Sequence, residues 1–213
     1  MINWTEPLPK HTKLDYYECY AKVVLEELFP TEFIDIEIDD KPDLKMKNGK
    51  YGVEVTRSVD IDSIKADELY TDISYNRVRN ESRAIEEIEK CGCTFENGFL
   101  IGKTGTDSFD LILESFEKKL NKLQKNYEEY KRNCLFIFSD IYANDRMIDD
   151  AIKIMKQKQI NSEKKFDKVF ILVPGYCYSL DLRIYSHEVY RIEYNVQVNQ
   201  ADKARELVEK YKK

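Results

Sequence analysis

The sequence predicts a mixed α/β fold, one domain over residues 1–213, with a sheet flanked by helices. Two continuous apolar runs, 134–141 and 168–175, are typical of strands that helices cover on both faces. The segment between them, 145–159, has the pattern of a helix, and this strand–helix–strand order indicates a right-handed parallel crossover. Segments on either side predict hairpins, so the sheet should contain both parallel and antiparallel strands.

The N-terminal half begins with a predicted helix and continues with three strands. Apolar residues recur at helical spacing over 12–30, and Pro30 ends the pattern. Residues 33–38 alternate between apolar and acidic, which indicates a half-buried strand. The next two strands, 42–46 and 51–59, should form a hairpin because Asn48-Gly49 between them is a strong turn signal.

The remaining elements follow from periodicity and from turn residues. We expect a long polar helix, a strand between glycines, a second helix with an apolar stripe that includes Tyr127, a C-terminal hairpin turning at 186–188, and a terminal helix. Their expected ranges are 60–90, 94–105, 107–132, 178–198 and 201–213.

Composition limits the classes of protein that the chain can belong to. Its net charge of −6 and pI of about 5.2 disfavour a non-specific nucleic-acid coat protein, but they suit a cation site. Five cysteines without a framework spacing, and an N-terminus without an apolar core, predict a protein of the reducing cytoplasm. No apolar run is long enough to cross a bilayer, so we expect no membrane association.

The stretch KPDLKMKNGKYGVEVT, residues 41–56, contains the candidate chemistry. Strand alternation puts Asp43 with Lys45 on one face, and Glu54 with Thr56 on one face. If the hairpin folds back, Asp43 and Glu54 approach each other, and two close carboxylates need a cation, a shared proton or a basic partner. Oxygen ligands of this kind, with the Val55 carbonyl as a further donor, suit Mg²⁺ or Mn²⁺.

The order of these elements and their acids resembles the PD-(D/E)xK nuclease superfamily, whose members have the restriction-endonuclease-like fold. Pro42-Asp43 and Glu54-Val55-Thr56 carry the resemblance, with eleven residues from Asp43 to Glu54. Members commonly have an acid on the first helix, and Glu18 fits that place. The resemblance covers roughly the first half of the chain, and it implies a metal site of Glu18, Asp43, Glu54 and Val55 that hydrolyses phosphodiester bonds.

The chain departs from the family at one position. The superfamily lysine stands two residues after the glutamate, and here that residue is Thr56, which has no charge. Lys45 is the nearest candidate for a displaced lysine, with Lys65 and Arg57 as weaker ones. The catalytic set is then Asp43, Glu54, Lys45 and Thr56. Alternatively, catalysis has been lost and the fold binds nucleic acid or a protein partner, or the acids simply lie on the surface of a hairpin.

The expected partner is DNA or RNA, and the sequence does not distinguish between them. Two basic tracts could contact a phosphate backbone, although we favour the interpretation that each is a solvated face balanced by acids. Their members are Lys118, Lys119, Lys122, Lys125, Lys131 and Arg132 in the first tract, and Lys153, Lys156, Lys158, Lys164, Lys165 and Lys168 in the second. The C-terminal hairpin and helix could extend the sheet or form a homodimer contact.

Overall fold

The computed structural model describes residues 6–8, 12–103, 108–125 and 130–211 and confirms the mixed α/β class. Six helices lie in this part of the chain: α1 Tyr16–Leu28, α2 Ile61–Ser74, α3 Glu81–Lys90, α4 Asp110–Leu123, α5 Asp145–Lys158 and α6 Tyr194–Lys210. The strands are β1 Ile36–Ile38, β2 Leu44–Met46, β3 Tyr51–Ser58, β4 Thr94–Glu96, β5 Phe99–Ile101, β6 Arg132–Ser139, β7 Phe166–Val173, β8 Tyr176–Asp181 and β9 Ser186–Arg191.

Seven strands form the main sheet, in the order β1-β2-β3-β6-β7-β8-β9. The three central strands β3, β6 and β7 run parallel, and the outer pairs are antiparallel. The crossover from β6 through α5 to β7 therefore has the arrangement that the two apolar runs predict. The predicted hairpin at Asn48-Gly49 is also confirmed, with Leu44 opposite Val53.

Helices cover both faces of this sheet, because alternate residues of the central strands point to opposite sides. On one side α1 packs against Val53, Val55 and Phe136. On the other side α4 and α5 pack against Leu135 and Ile137. A residue on β3 between Val53 and Val55 therefore points to the face that α4 covers.

The predicted long helix over 60–90 is wrong, because the segment contains two helices. The chain leaves α2 after Ser74, and Asn76 adopts a left-handed conformation with φ of 53°. Asn80 then caps α3, since its side chain accepts a hydrogen bond from the Arg83 N–H. Asparagine tolerates left-handed backbone and is a good N-cap, so both breaks have a local cause.

The segment predicted as one strand over 94–105 contains two. Asn97 and Gly98 both have positive φ, 53° and 82°, which fits the tight turn that joins β4 to β5. This small hairpin packs with α2 and α3 around its own cluster of Ile88, Cys91 and Cys93. The strand predicted over 33–38 is likewise shorter, because Asp35 has a φ of 55° immediately before β1.

The helix predicted over 107–132 ends at Leu123, and Arg132 already begins β6. Its stripe residues Ile112, Phe116, Leu120 and Leu123 are buried as predicted. Tyr127, the last predicted member of the stripe, lies outside the described residues.

The C-terminal hairpin exists, but its predicted turn at 186–188 is wrong. The turn occupies 182–185, where Asp181 accepts a hydrogen bond from the Arg183 N–H and Tyr185 has a φ of 57°. Residues 194–198, predicted as strand, form the start of α6. The inner face of this helix includes Gln197, which hydrogen-bonds the Gly175 N–H, and the fully buried Gln200. Because those inward positions are polar, the apolar period of the helix is hidden in the sequence.

Candidate active site

Asp43 stands directly before β2, and its side chain is held against β3. Its Oδ2 accepts a hydrogen bond of 2.6 Å from the backbone N–H of Val55. Its own carbonyl accepts one of 2.9 Å from the Asp39 N–H. The side chain is 17% exposed, so it is oriented by the hairpin but still accessible.

Glu54 lies in the middle of β3, opposite Leu135 of β6. Its neighbours Val53 and Val55 belong to the apolar cluster on the α1 side, so the glutamate side chain points to the α4 side. It is 2% exposed. A carboxylate at this depth needs a compensating charge or hydrogen-bond donors, since burying an isolated charge is costly.

Lys119 of α4 supplies that charge. Its Nζ donates a hydrogen bond of 2.6 Å to Glu54 Oε2 and one of 3.0 Å to Asp43 Oδ2. The lysine is 12% exposed, so the pairs are largely removed from water. One ammonium group thus joins two carboxylates, one from the residue before β2 and one from β3.

The lysine of this cluster stays charged. Burial lowers the pKa of the Lys119 ammonium, but the charges of Glu54 and Asp43, and its hydrogen bonds to them, raise it by more. The net result is a pKa above the ordinary value of 10.5. Two carboxylates and one ammonium together have an excess negative charge, which favours a further cation nearby.

Glu18 of α1 lies close to the same acids. It lines a hollow of about 490 Å³ together with Asp43. Burial, and then repulsion from Asp43 and Asp15, raise the pKa of the Glu18 carboxyl to about 7, although Lys119 lowers it in part. The described residues contain no group of three or more His, Cys, Asp or Glu side chains that could hold a metal ion as they stand.

Glu18 should make the stability of the metal-free protein depend on pH. A raised carboxyl pKa means that the folded protein binds more protons than the unfolded one between about pH 4.5 and 7, so stability falls as pH rises through that window. Glu18→Gln should remove this fall. At pH 8 we expect it to be more stable than the wild type by about 1 to 2 kcal/mol, after allowance for partial exposure.

Urea unfolding in EDTA from pH 4 to 8 measures this effect. Glu163→Gln is the matched control, because Glu163 is exposed and lies far along the chain on the loop before β7. Stability curves of the wild type and Glu18→Gln that run parallel over this pH range would contradict the raised pKa of Glu18.

The other residues singled out in the sequence occupy different places. Lys45 forms an ion pair with Asp39, and Lys65 pairs with Glu87 at 2.9 Å. Thr56 is half-buried, two residues beyond Glu54 on the same side of β3. The backbone N–H of Val55 binds Asp43, while its side chain packs on the opposite face. The lysine that the structure brings to Asp43 and Glu54 is Lys119, which belongs to the first basic tract of the sequence and is not among the candidates for the displaced motif lysine.

Lys119 could have been found from the helical period of α4. It follows Ile112 by seven residues and Phe116 by three, which places it beside the buried stripe. Lys118 and Lys122, its neighbours in the same basic tract, are exposed. What hid Lys119 is its distance of 65 residues from Glu54, which no local pattern spans.

The arrangement combines carboxylate oxygens that can hold a cation with an ammonium that can stabilise an anion. No helix of the described ranges is long and apolar enough to cross a membrane. No family model, curated protein or solved structure matches the chain. Any statement of function must therefore come from these residues and their chemistry.

Proposed function

We propose that the chain is a metal-dependent nuclease of the PD-(D/E)xK superfamily, in which Lys119 takes the catalytic role of the missing motif lysine. One observation carries the proposal: the Lys119 Nζ lies 3.0 Å from Asp43 Oδ2 and 2.6 Å from Glu54 Oε2. These are the two acids on which the sequence resemblance rests. Lys119 of α4 thus supplies to these two acids the positive charge that Thr56, at the motif position, lacks.

The donor set fits a hard divalent ion. Asp43 and Glu54 would hold Mg²⁺ or Mn²⁺ through carboxylate oxygens, with Glu18 as a nearby third acid, and Mg²⁺ commonly needs only one or two carboxylates beside water and phosphate. When bound, the metal would polarise the scissile phosphate and activate water. The buried position of Glu54 keeps its charge from being screened.

Lys119 has its own part in the proposed reaction. Its ammonium can turn from one carboxylate to a phosphate oxygen, because a lysine side chain is long and has three donors. There it would stabilise the negative charge that builds up on the phosphate in the transition state. The hydrogen bonds to Asp43 and Glu54 hold it close to that place beforehand.

The direct test is hydrolysis of labelled DNA and RNA in Mn²⁺ or Mg²⁺. We expect cleavage by the wild type that EDTA abolishes, and loss of cleavage by at least about 100-fold in Asp43→Asn. Lys210→Met, at an exposed lysine of α6 outside both basic tracts, should cleave like the wild type. Equal rates in the wild type and Asp43→Asn would trace any activity to a contaminant and remove the claim.

A second candidate is a binding protein on the same fold without catalysis. It is favoured by the hydrogen bonds through which Lys119 already pairs with both acids. Thermal unfolding with Mn²⁺ separates the two functions. The nuclease should be stabilised by millimolar Mn²⁺, and the effect should be lost in Asp43→Asn, whereas the pure binder should show the same melting temperature with and without the ion.

A further inference from the structure

A separate hollow of about 220 Å³ lies between α1, the end of β3 and the length of α2. Tyr17 and Arg57 form its inner side, and Leu8 and Ile64 contribute apolar walls. The hollow is below the usual size range for sites of drug-sized ligands, so it suits one small ring system rather than a chain.

Arg57 lies over the ring of Tyr17 in this hollow, and its donors are not all used. The centre of its guanidinium lies 4.3 Å from the centre of the Tyr17 ring, and that ring in turn packs edge-on against Phe138 at 5.2 Å. In the part of the chain that the structure describes, the Arg57 Nε is buried without a hydrogen-bond acceptor. Because the guanidinium group is planar and lies over an aromatic ring, its N–H donors are oriented in advance for a ligand with two adjacent acceptors.

Asp67 of α2 lines the same hollow at its solvent-exposed side. Among the described residues, no ion pair within 4 Å joins it to Arg57, although both face the same small space. The hollow therefore presents both N–H donors and carboxylate acceptors. A ligand that accepts from Arg57 and donates to Asp67 would satisfy both.

The charges around the hollow exclude a phosphate as its natural occupant. Three acids, Asp67, Glu68 and Asp72, line it beside two arginines, Arg57 and Arg77. A phosphate inside the hollow would be repelled by this excess of acid, whereas the phosphate of a bound nucleotide can stay outside it in solvent. A neutral, planar group with both acceptors and donors at its edges would not.

We propose that this hollow binds an unpaired guanine base of the nucleic-acid substrate. Arg57 would donate to guanine O6 and N7, the pairing in which arginine best discriminates guanine. Asp67 would accept from N1–H and the 2-amino group, which are free when the base is unpaired. The assignment rests on the proposed function, because it names the substrate of the same protein.

The position of the hollow relates the base to the proposed cleavage site. Arg57 follows Glu54 by three residues on β3, which is on the order of 10 Å along a strand. Tyr17 directly precedes Glu18 on α1. Because an odd number of positions separates them, Arg57 points to the α1 side of the sheet and Glu54 to the α4 side. The guanine would therefore belong to a nucleotide that lies on the α1 side, outside the cleaved linkage, and it would set a base preference at that nucleotide.

Binding of GMP, measured by equilibrium dialysis in EDTA, tests the pocket without need of metal or cleavage. We expect GMP to bind at least about 10-fold more tightly than AMP or CMP, and about 5-fold more tightly than IMP, which lacks the 2-amino group. Arg57→Lys and Asp67→Asn should each weaken GMP binding by about 10-fold or more. Arg79→Lys, at an exposed arginine outside the hollow, should bind GMP like the wild type.

The outcomes separate this proposal from the proposed function. Equal binding of the four nucleotides, or GMP binding that Arg57→Lys and Asp67→Asn leave unchanged in folded protein, overturns the guanine pocket even if Asp43-dependent cleavage is found. Selective GMP binding that both variants lose supports the pocket even if no cleavage occurs. Thermal unfolding of each variant verifies that lost binding is not lost folding.

Discussion

Lys119→Met should lower the free energy of unfolding by about 3 to 5 kcal/mol at pH 7.5. The change removes the ammonium from Glu54, which is 2% exposed, and from Asp43, which is 17% exposed. Breaking a buried ion pair by deleting one partner costs this much because the other charge stays buried without compensation. Loss of the lysine stem adds little, because methionine fills a similar volume.

The loss should depend on pH in a defined direction. In the wild type the raised pKa of Lys119 keeps its contribution constant up to about pH 10, above which deprotonation removes it. In Lys119→Met the uncompensated acids can take up protons, so the difference from the wild type should shrink towards pH 4. Urea unfolding at pH 4, 6 and 7.5 measures this trend.

Lys122→Met is the control for that measurement. It deletes a lysine from the same helix, three residues further on, where the side chain is exposed. Its stability should stay within about 0.5 kcal/mol of the wild type at every pH. A Lys119→Met protein as stable as Lys122→Met at pH 7.5 would mean that the two ion pairs of Lys119 contribute nothing.

The second large effect concerns catalysis. We expect Lys119→Met to reduce the rate of nucleic-acid cleavage by about 100- to 1,000-fold, the usual loss when one preorganised group that stabilises transition-state charge is deleted. The effect should appear in kcat more than in KM, because the ammonium is proposed to meet the phosphate as charge develops. Circular dichroism at the assay temperature verifies that the variant is folded.

The hairpin within residues 41–56 was predictable because its sequence signals are local. The Asn48-Gly49 turn and the alternation along β3 suffice to bring Asp43 to Val55 and to turn Glu54 away from α1. The burial of both central apolar runs also follows from their composition. Each of these inferences depends on residues within about a dozen positions of one another.

Other features could not be predicted from the sequence because they depend on contacts between distant segments. Lys119 reaches Glu54 across 65 residues, and nothing near either residue reveals the pair. The inner face of α6 carries Gln197 and Gln200, whose partners are Gly175 in the turn after β7 and Glu27 of α1. The break between α2 and α3, in contrast, has local signals in Asn76 and Asn80. A prediction from the spacing of apolar residues alone does not use them.

The most direct test of the central claim is to move the lysine back to the motif position. Thr56 lies two residues beyond Glu54 on the same side of β3, so Thr56→Lys would place an ammonium beside the same acids. The experiment compares Mn²⁺-dependent cleavage by the wild type, Lys119→Met and the double variant Thr56→Lys/Lys119→Met. Asp43→Asn provides the baseline.

If Lys119 takes the role of the motif lysine, Lys119→Met should cleave at least about 100-fold more slowly than the wild type. The double variant Thr56→Lys/Lys119→Met should cleave at least about 10-fold faster than Lys119→Met. The double variant should also regain stability over Lys119→Met, because the acids again have a cation. Cleavage that depends on Asp43 but proceeds at the wild-type rate in Lys119→Met would contradict the claim.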